Sequence, residues 1–136
     1  MMKPARPKYD KVSDRLLLGL LREVVSIRAG HCCEFPGCTN TNCSPHHAGG
    51  RGNFVKYDPD TCLYLCGGLC GHHVTGAISA HGTPTLFKQA IIKGKVRSRE
   101  WFDEVSQKEN QTQKDTPEFR AIWKERLQDD LRRIAA

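Results

Sequence analysis

Apolar positions follow a helical period at both ends of the chain and lose it in the middle. From Val12 to Ala29 they recur at Leu16, Leu17, Leu20, Leu21, Val24, Val25 and Ile27, which predicts an amphipathic helix within residues 12–30. Ser13 suits its N-cap, Asp14 its first turn and Gly30 its stop. Thr83-Pro84 reads as a cap followed by proline at the first helical position, and Gly94 reads as the end of that helix. Leu86, Phe87, Ala90, Ile91 and Ile92 lie between them and give it an apolar face. A basic link, Lys93 to Arg99, leads to a short helix around Trp101, Phe102 and Val105, and Asn110 to Lys114 is polar loop. Thr116-Pro117 repeats the cap-and-proline signal ahead of a stripe at Phe119, Ile122, Trp123, Leu127, Leu131 and Ile134.

The middle obeys other rules. Pro36-Gly37 and Gly49-Gly50-Arg51-Gly52-Asn53 are turn chemistry. Leu63-Tyr64-Leu65 suits a strand, and the simplest reading is a hairpin followed by a short helix near His72 to Ala80. The chain has no internal repeat, and its 136 residues are about one domain's worth. We expect an α+β fold divided into a basic flexible arm over residues 1–11, a helix over 12–30, a Cys- and His-rich centre over 31–82, and a helical segment over 83–136 in the same domain. The N- and C-terminal helices would wrap a small centre that buries too little hydrocarbon to hold itself and needs a metal as a staple.

Charge sharpens this picture. The net charge is +6, and its distribution is uneven. Residues 1–30 carry seven Lys/Arg against three Asp/Glu, and residues 83–100 carry five against one. Two basic blocks thus flank a nearly neutral centre, as suits an anionic polymer held on either side of a site; the plainer reading is a solubilising surface. No apolar run approaches the roughly 20 residues of a membrane span, and Leu16 to Leu21 reads as core helix rather than signal peptide. No membrane partner and a cytoplasmic location are expected.

Seven cysteines cannot all pair within one chain, and in a reducing compartment a cysteine cluster more often binds metal. Cys33 with Cys38, and Cys66 with Cys70, form two pairs beside Pro36-Gly37 and Gly67-Gly68, the arrangement by which two knuckles meet across a tetrahedral zinc. Cys43 is an alternative ligand, Cys32 can stand in for Cys33, and Cys62 reads as a small core hydrophobe. A structural zinc leaves the histidine pairs His46-His47 and His72-His73 unexplained. On a strand, adjacent side chains point to opposite faces, so one member of a pair can act while the other anchors. Phosphodiester hydrolysis needs a base for water and a divalent ion for developing charge, and imidazoles can serve both needs. All six histidines as zinc ligands or surface residues is the simpler alternative, which we prefer for His31.

The ordered set Cys33-Glu34-Phe35-Pro36-Gly37-Cys38, Cys43-Ser44-Pro45-His46-His47, Leu65-Cys66 and His72-His73 resembles the HNH (His-Me finger) endonuclease family over about fifty residues, from Cys32 to Phe87. The Gly50-Arg51-Gly52 turn and His81-Gly82 ahead of Phe87 are similar to phage-encoded members. The resemblance implies a small ββα-metal core stapled by zinc between the Cys pairs. It assigns His47 as the general base and His46 as a ligand of the catalytic ion. The family's last histidine, a second ligand, falls on His73 or His72, with His73 favoured and His81 a third candidate. Arg51 matches a phosphate-binding position. The middle Asn of the family is replaced by Thr61, preceded by Asp60, while Asn53 comes too early to take its place. A Thr hydroxyl makes one of the hydrogen bonds of an amide but not all of them.

The implied activity is metal-dependent hydrolysis of DNA phosphodiester bonds, with structural zinc and a catalytic Mg²⁺, Mn²⁺ or other divalent ion. Double-stranded DNA is the expected partner, and phage packaging or recombination proteins are others the resemblance suggests. A zinc-stapled nucleic-acid-binding module without catalysis is the alternative, and an adaptor docking through Phe119, Trp123 and Leu127 is a third reading.

Overall fold

The computed structural model describes residues 11–68 and 71–135, so of the expected arm over residues 1–11 only Lys11 falls within it, and Leu69 and Cys70 lie outside it. The described chain runs through α1 (Asp14–Arg28), β1 (Cys43–His47), β2 (Cys62–Cys66), α2 (Pro84–Lys93), α3 (Arg99–Glu109) and α4 (Pro117–Ala135). Mixed helix and sheet is therefore the architecture, with four helices and one two-stranded antiparallel sheet among the described residues.

The helices follow their sequence signals. The Ser13 hydroxyl accepts the Leu16 N–H at 3.0 Å and opens α1, and Gly30, at φ +68°, lets the chain turn away after it. Leu17, Leu21, Val24 and Val25 form the buried face of α1, which packs on α4 and on both strands. Thr116 caps α4 by accepting the Phe119 N–H at 3.1 Å, and Trp123 and Leu127 sink into the core. The stripe assigned to docking under the adaptor reading is thus largely used inside the molecule.

β2 is buried at every position from Cys62 to Cys66, so it forms the floor of the core, while β1 pairs beside it as the half-exposed strand. The register pairs Cys43 with Cys66, His46 with Leu63 and His47 with Cys62. The 3₁₀ turn Pro59–Thr61 leads into β2. Three backbone carbonyls around the strands are held by arginines of α1: Arg22 donates to Cys43, and Arg28 donates to Pro59 and Cys62.

Two local expectations differ from the structure. The segment from His72 to Ala80 is a run of turns, not a helix. Val74 and Ile78, the pair at helical spacing, are exposed, so no buried face rewards a helix there. Instead the fully buried Ser79 donates its hydroxyl to the Val74 carbonyl and accepts the Gly82 N–H, both at 3.0 Å. At the start of α2, Thr83 makes no side-chain cap to its own helix; its hydroxyl accepts the Ser79 N–H at 2.9 Å and serves the turn instead.

Candidate metal centre

β1 sets the geometry. Ser44 and His46 share one face of the strand, and His47 points to the other. On the first face, His46 meets His73 and His81, with ring centroids 5.2 and 4.8 Å away, and His73 and His81 are 5.0 Å apart. One nitrogen from each of the three lies within 4.8 Å of the others, a spacing at which they can hold one metal ion. Ser44 Oγ stands 3.3 Å from His73 Nδ1 and orients that ring, leaving Nε2 for a ligand. His46 Nδ1 is buried and has no hydrogen-bond partner among the described residues. A buried imidazole nitrogen without a partner is costly, and an ion beside His73 and His81 would remove the cost.

Electrostatics agree with this use. Burial, then the neighbouring His73, His81 and His47, pulls the His46 pKa down to about 3. Burial, then His81, His47 and Arg51, lowers that of His73. Both rings are therefore neutral at ordinary pH, which is the form that binds metal.

His47 is held separately. Its Nε2 lies 3.1 Å from the Lys56 carbonyl, which can only accept, so Nε2 carries the proton and Nδ1 is the basic nitrogen. Burial, and the positive charge of Arg51 close by, lower its pKa. Lys56 sits on the loop between the strands, and Thr61 ties that loop down. The Thr61 hydroxyl donates to the Asp58 carbonyl at 2.9 Å, and its own carbonyl accepts the Ala48 N–H at 3.0 Å. Thr61 thus acts on His47 at one remove, through the loop that presents Lys56. Asp60 is exposed, and its carbonyl accepts the Trp101 indole N–H at 2.8 Å; Asn53 donates to the Gln113 carbonyl, apart from the histidines. Arg51 is exposed on its Gly-rich turn, near enough to His47 and His73 for its charge to act on both.

A second group lies behind the first. Cys33, Cys38 and Cys66 gather with His72 within 4.8 Å. His72 Nδ1 is 3.2 Å from Cys66 Sγ and 3.7 Å from Cys33 Sγ, and the Cys38 and Cys66 sulfurs are 3.9 Å apart. The structure thus places three of the four expected thiols together, places His72 with them rather than with His46, and puts Cys70 outside the described residues. Burial pushes the Cys33 thiol well above its usual range, so its thiolate needs a cation nearby. Cys43 lies outside the group, with its thiol directed at the Asn40 carbonyl at 3.1 Å. Cys32 turns to the Ala29 carbonyl, Cys62 to the Asp58 carbonyl in the core, and His31 hydrogen-bonds Ser26 at the end of α1. The six described cysteines are free of disulfides.

A cleft of about 400 Å³ opens over the histidines, lined by His46, His47 and His81 on one side and by Phe87, Lys88 and Phe102 on the other. Lys88 Nζ stands 5.3 Å above the Phe102 ring. Sequence reasoning singled out neither Lys88 nor Lys56. A lysine in a basic block has no distinguishing mark, and a positioning carbonyl has no side-chain signature at all. Ser44 was open to discovery, because it precedes His46 by the two-residue period of a strand. The chain matches no model of a known protein family, no curated protein and no solved structure.

Proposed function

We propose that this chain is an HNH-type endonuclease that hydrolyses phosphodiester bonds of DNA with a divalent ion held by His46, His73 and His81. One observation carries the reading: the buried His46 Nδ1, without a hydrogen-bond partner among the described residues, converges with two more imidazoles beside a histidine, His47, whose tautomer suits base catalysis. The order β1, β2, α2 around these residues is compatible with a ββα-metal unit.

His47 Nδ1 takes the proton from the attacking water, and the Lys56 carbonyl stabilises the imidazolium that results. When bound, the ion supplies positive charge against the phosphate and the leaving oxygen. Lys88 lines the cleft, and Arg51 on the adjoining Gly-rich turn carries its charge near His47 and His73, so both can receive phosphate oxygens. The donor set is all imidazole, with no carboxylate, and so fits a transition ion such as Zn²⁺, Ni²⁺ or Co²⁺ better than Mg²⁺.

Plasmid DNA with Mg²⁺, Mn²⁺, Ni²⁺ or Zn²⁺ should be nicked or linearised, EDTA should stop the reaction, and Mg²⁺ should be the weakest activator. His47→Ala should lose at least a hundredfold in rate while circular dichroism and bound zinc stay unchanged. Undiminished cleavage by that variant would remove His47 from the reaction. Thr61 in place of the family's Asn favours the second reading, a zinc-stapled nucleic-acid-binding module. Salt-sensitive binding without cleavage under any ion would support it.

A further inference from the structure

The geometry points to a zinc ion bound by Cys33, Cys38, Cys66 and His72 Nδ1, three sulfurs and one nitrogen, which also holds the neighbouring His46–His73–His81 site in shape. The coupling rests on the reading of those three histidines as an ion site, though not on nuclease activity.

The first part follows from spacing. Zinc bonds of about 2.3 Å to sulfur and 2.0–2.1 Å to nitrogen, at tetrahedral angles, set ligand atoms roughly 3.5–3.8 Å apart. The separations of 3.9, 3.7 and 3.2 Å straddle that range before any ion draws the ligands together. The ring of His72 is also fixed from outside, stacked on Phe35 at 3.9 Å and 7°. Phe35 itself lies between two of the ligands, Cys33 and Cys38, so one knuckle supplies sulfurs and the platform for the nitrogen.

The second part follows from the backbone. His72 and His73 are consecutive, and their rings go to different groups. The His73 N–H donates to the Cys66 carbonyl at 3.2 Å, so that ligand's strand end also anchors His73. The His72 carbonyl accepts the Ala80 N–H at 2.8 Å, and the His73 carbonyl accepts the His81 N–H at 3.0 Å. Both imidazoles that face His46 therefore hang on the peptide that begins at His72. Gly71, at φ +51°, makes the approach possible, since a Cβ there would stand 2.6 Å from the Gly76 nitrogen. With little apolar packing to hold residues 72–82, a ligand bond at His72 is the strongest available fixing point.

Two measurements test this. Zinc-edge X-ray absorption on the full chain loaded with one equivalent of zinc should give three sulfurs and one nitrogen. A shell of four sulfurs would put Cys70 in the place of His72 and overturn the assignment. Mn²⁺ or Ni²⁺ binding, titrated in the one-zinc protein, should weaken by tenfold to a hundredfold in His72→Ala, the size usual for a lost supporting contact. If His72→Ala does not fold, His72→Cys, which keeps a ligand at the same residue, is titrated instead and should weaken binding less than tenfold. Unchanged second-ion affinity in His72→Ala, or a larger loss in His72→Cys, would overturn the coupling. Neither readout depends on cleavage, so an inactive protein would leave both decisive.

Discussion

Thr61 shows how a single hydroxyl can tie a loop together. It is 1% exposed, and its Oγ donates to the Asp58 carbonyl within the loop that carries Lys56. Thr61→Val keeps the shape and removes the donor; the Asp58 carbonyl keeps the Thr61 N–H and the Cys62 thiol, so the loss is that of one hydrogen bond, about 0.5–1.5 kcal/mol. Urea denaturation should read that loss. The cleavage rate should fall as well, with KM little changed, because the loosened loop presents Lys56 less well to His47 and leaves the cleft intact. A stability loss with an unaltered rate would mean that the loop does not position His47. Sequence alone marks Thr61 as the residue that departs from a resemblance, and cannot say that its hydroxyl ties the loop internally. The same boundary falls between His72 and His73. Their adjacency is plain in the sequence, but which ring joins the thiols depends on Phe35 stacking and on the turn at Gly71.

The helices were the most legible elements, because caps and apolar period agree within each. Ser13, Thr116 and the buried faces of α1 and α4 stand where the pattern puts them. The turn from His72 to Ala80 was not legible, since its stability comes from Ser79 and Thr83 hydroxyls rather than from a buried stripe. The α1–α4 contact carries a testable weight. Leu127 is fully buried in the common core, and Leu127→Ala should cost about 2–5 kcal/mol in urea denaturation. A cost below about 1 kcal/mol would show a cavity that collapses without penalty. The same two helices are latched at their N-terminal ends by carboxylates. Hydrogen bonds from Lys56 and Tyr57 hold the Asp14 carboxyl below its usual value, and Arg120 does the same for Asp115. A lowered folded-state pKa contributes stability that is present above the unfolded carboxylate value near 3.9 and lost as pH falls through the folded one. The denaturation midpoint should therefore drop as pH falls below about 4, and Asp14→Asn with Asp115→Asn should flatten that drop. Both carboxylates are partly exposed, so 0.5 M salt should shrink the effect.

For the whole molecule, the net charge of +6 is divided between residues engaged within the fold and residues free to meet an anionic partner. Arg22 and Arg28 of the first basic block are engaged with backbone carbonyls near the strands, and Arg97 of the second pairs with Glu34 at 3.0 Å and lies over Trp101. These cations build the fold around the two groups of cysteines and histidines. On the Gly-rich turn and in the second basic block, exposed basic residues stand at Arg51, Lys88, Lys93, Lys95 and Arg99, and of these Lys88 lines the cleft itself. Phosphate contacts reveal themselves through counterion release: the slope of log K against log salt falls by about 0.9 for each contact removed from duplex DNA. Lys88→Gln and Arg51→Gln should each flatten the slope by about that amount and weaken binding alike for unrelated sequences. Arg22→Gln and Arg28→Gln should leave the slope unchanged and lower stability, since each removes a donor from a backbone carbonyl. If Arg22→Gln or Arg28→Gln flattened the slope as Lys88→Gln does, the division between structural and DNA-facing cations would be wrong. The anionic surface would then have to reach the α1 side of the molecule, away from the histidine cleft.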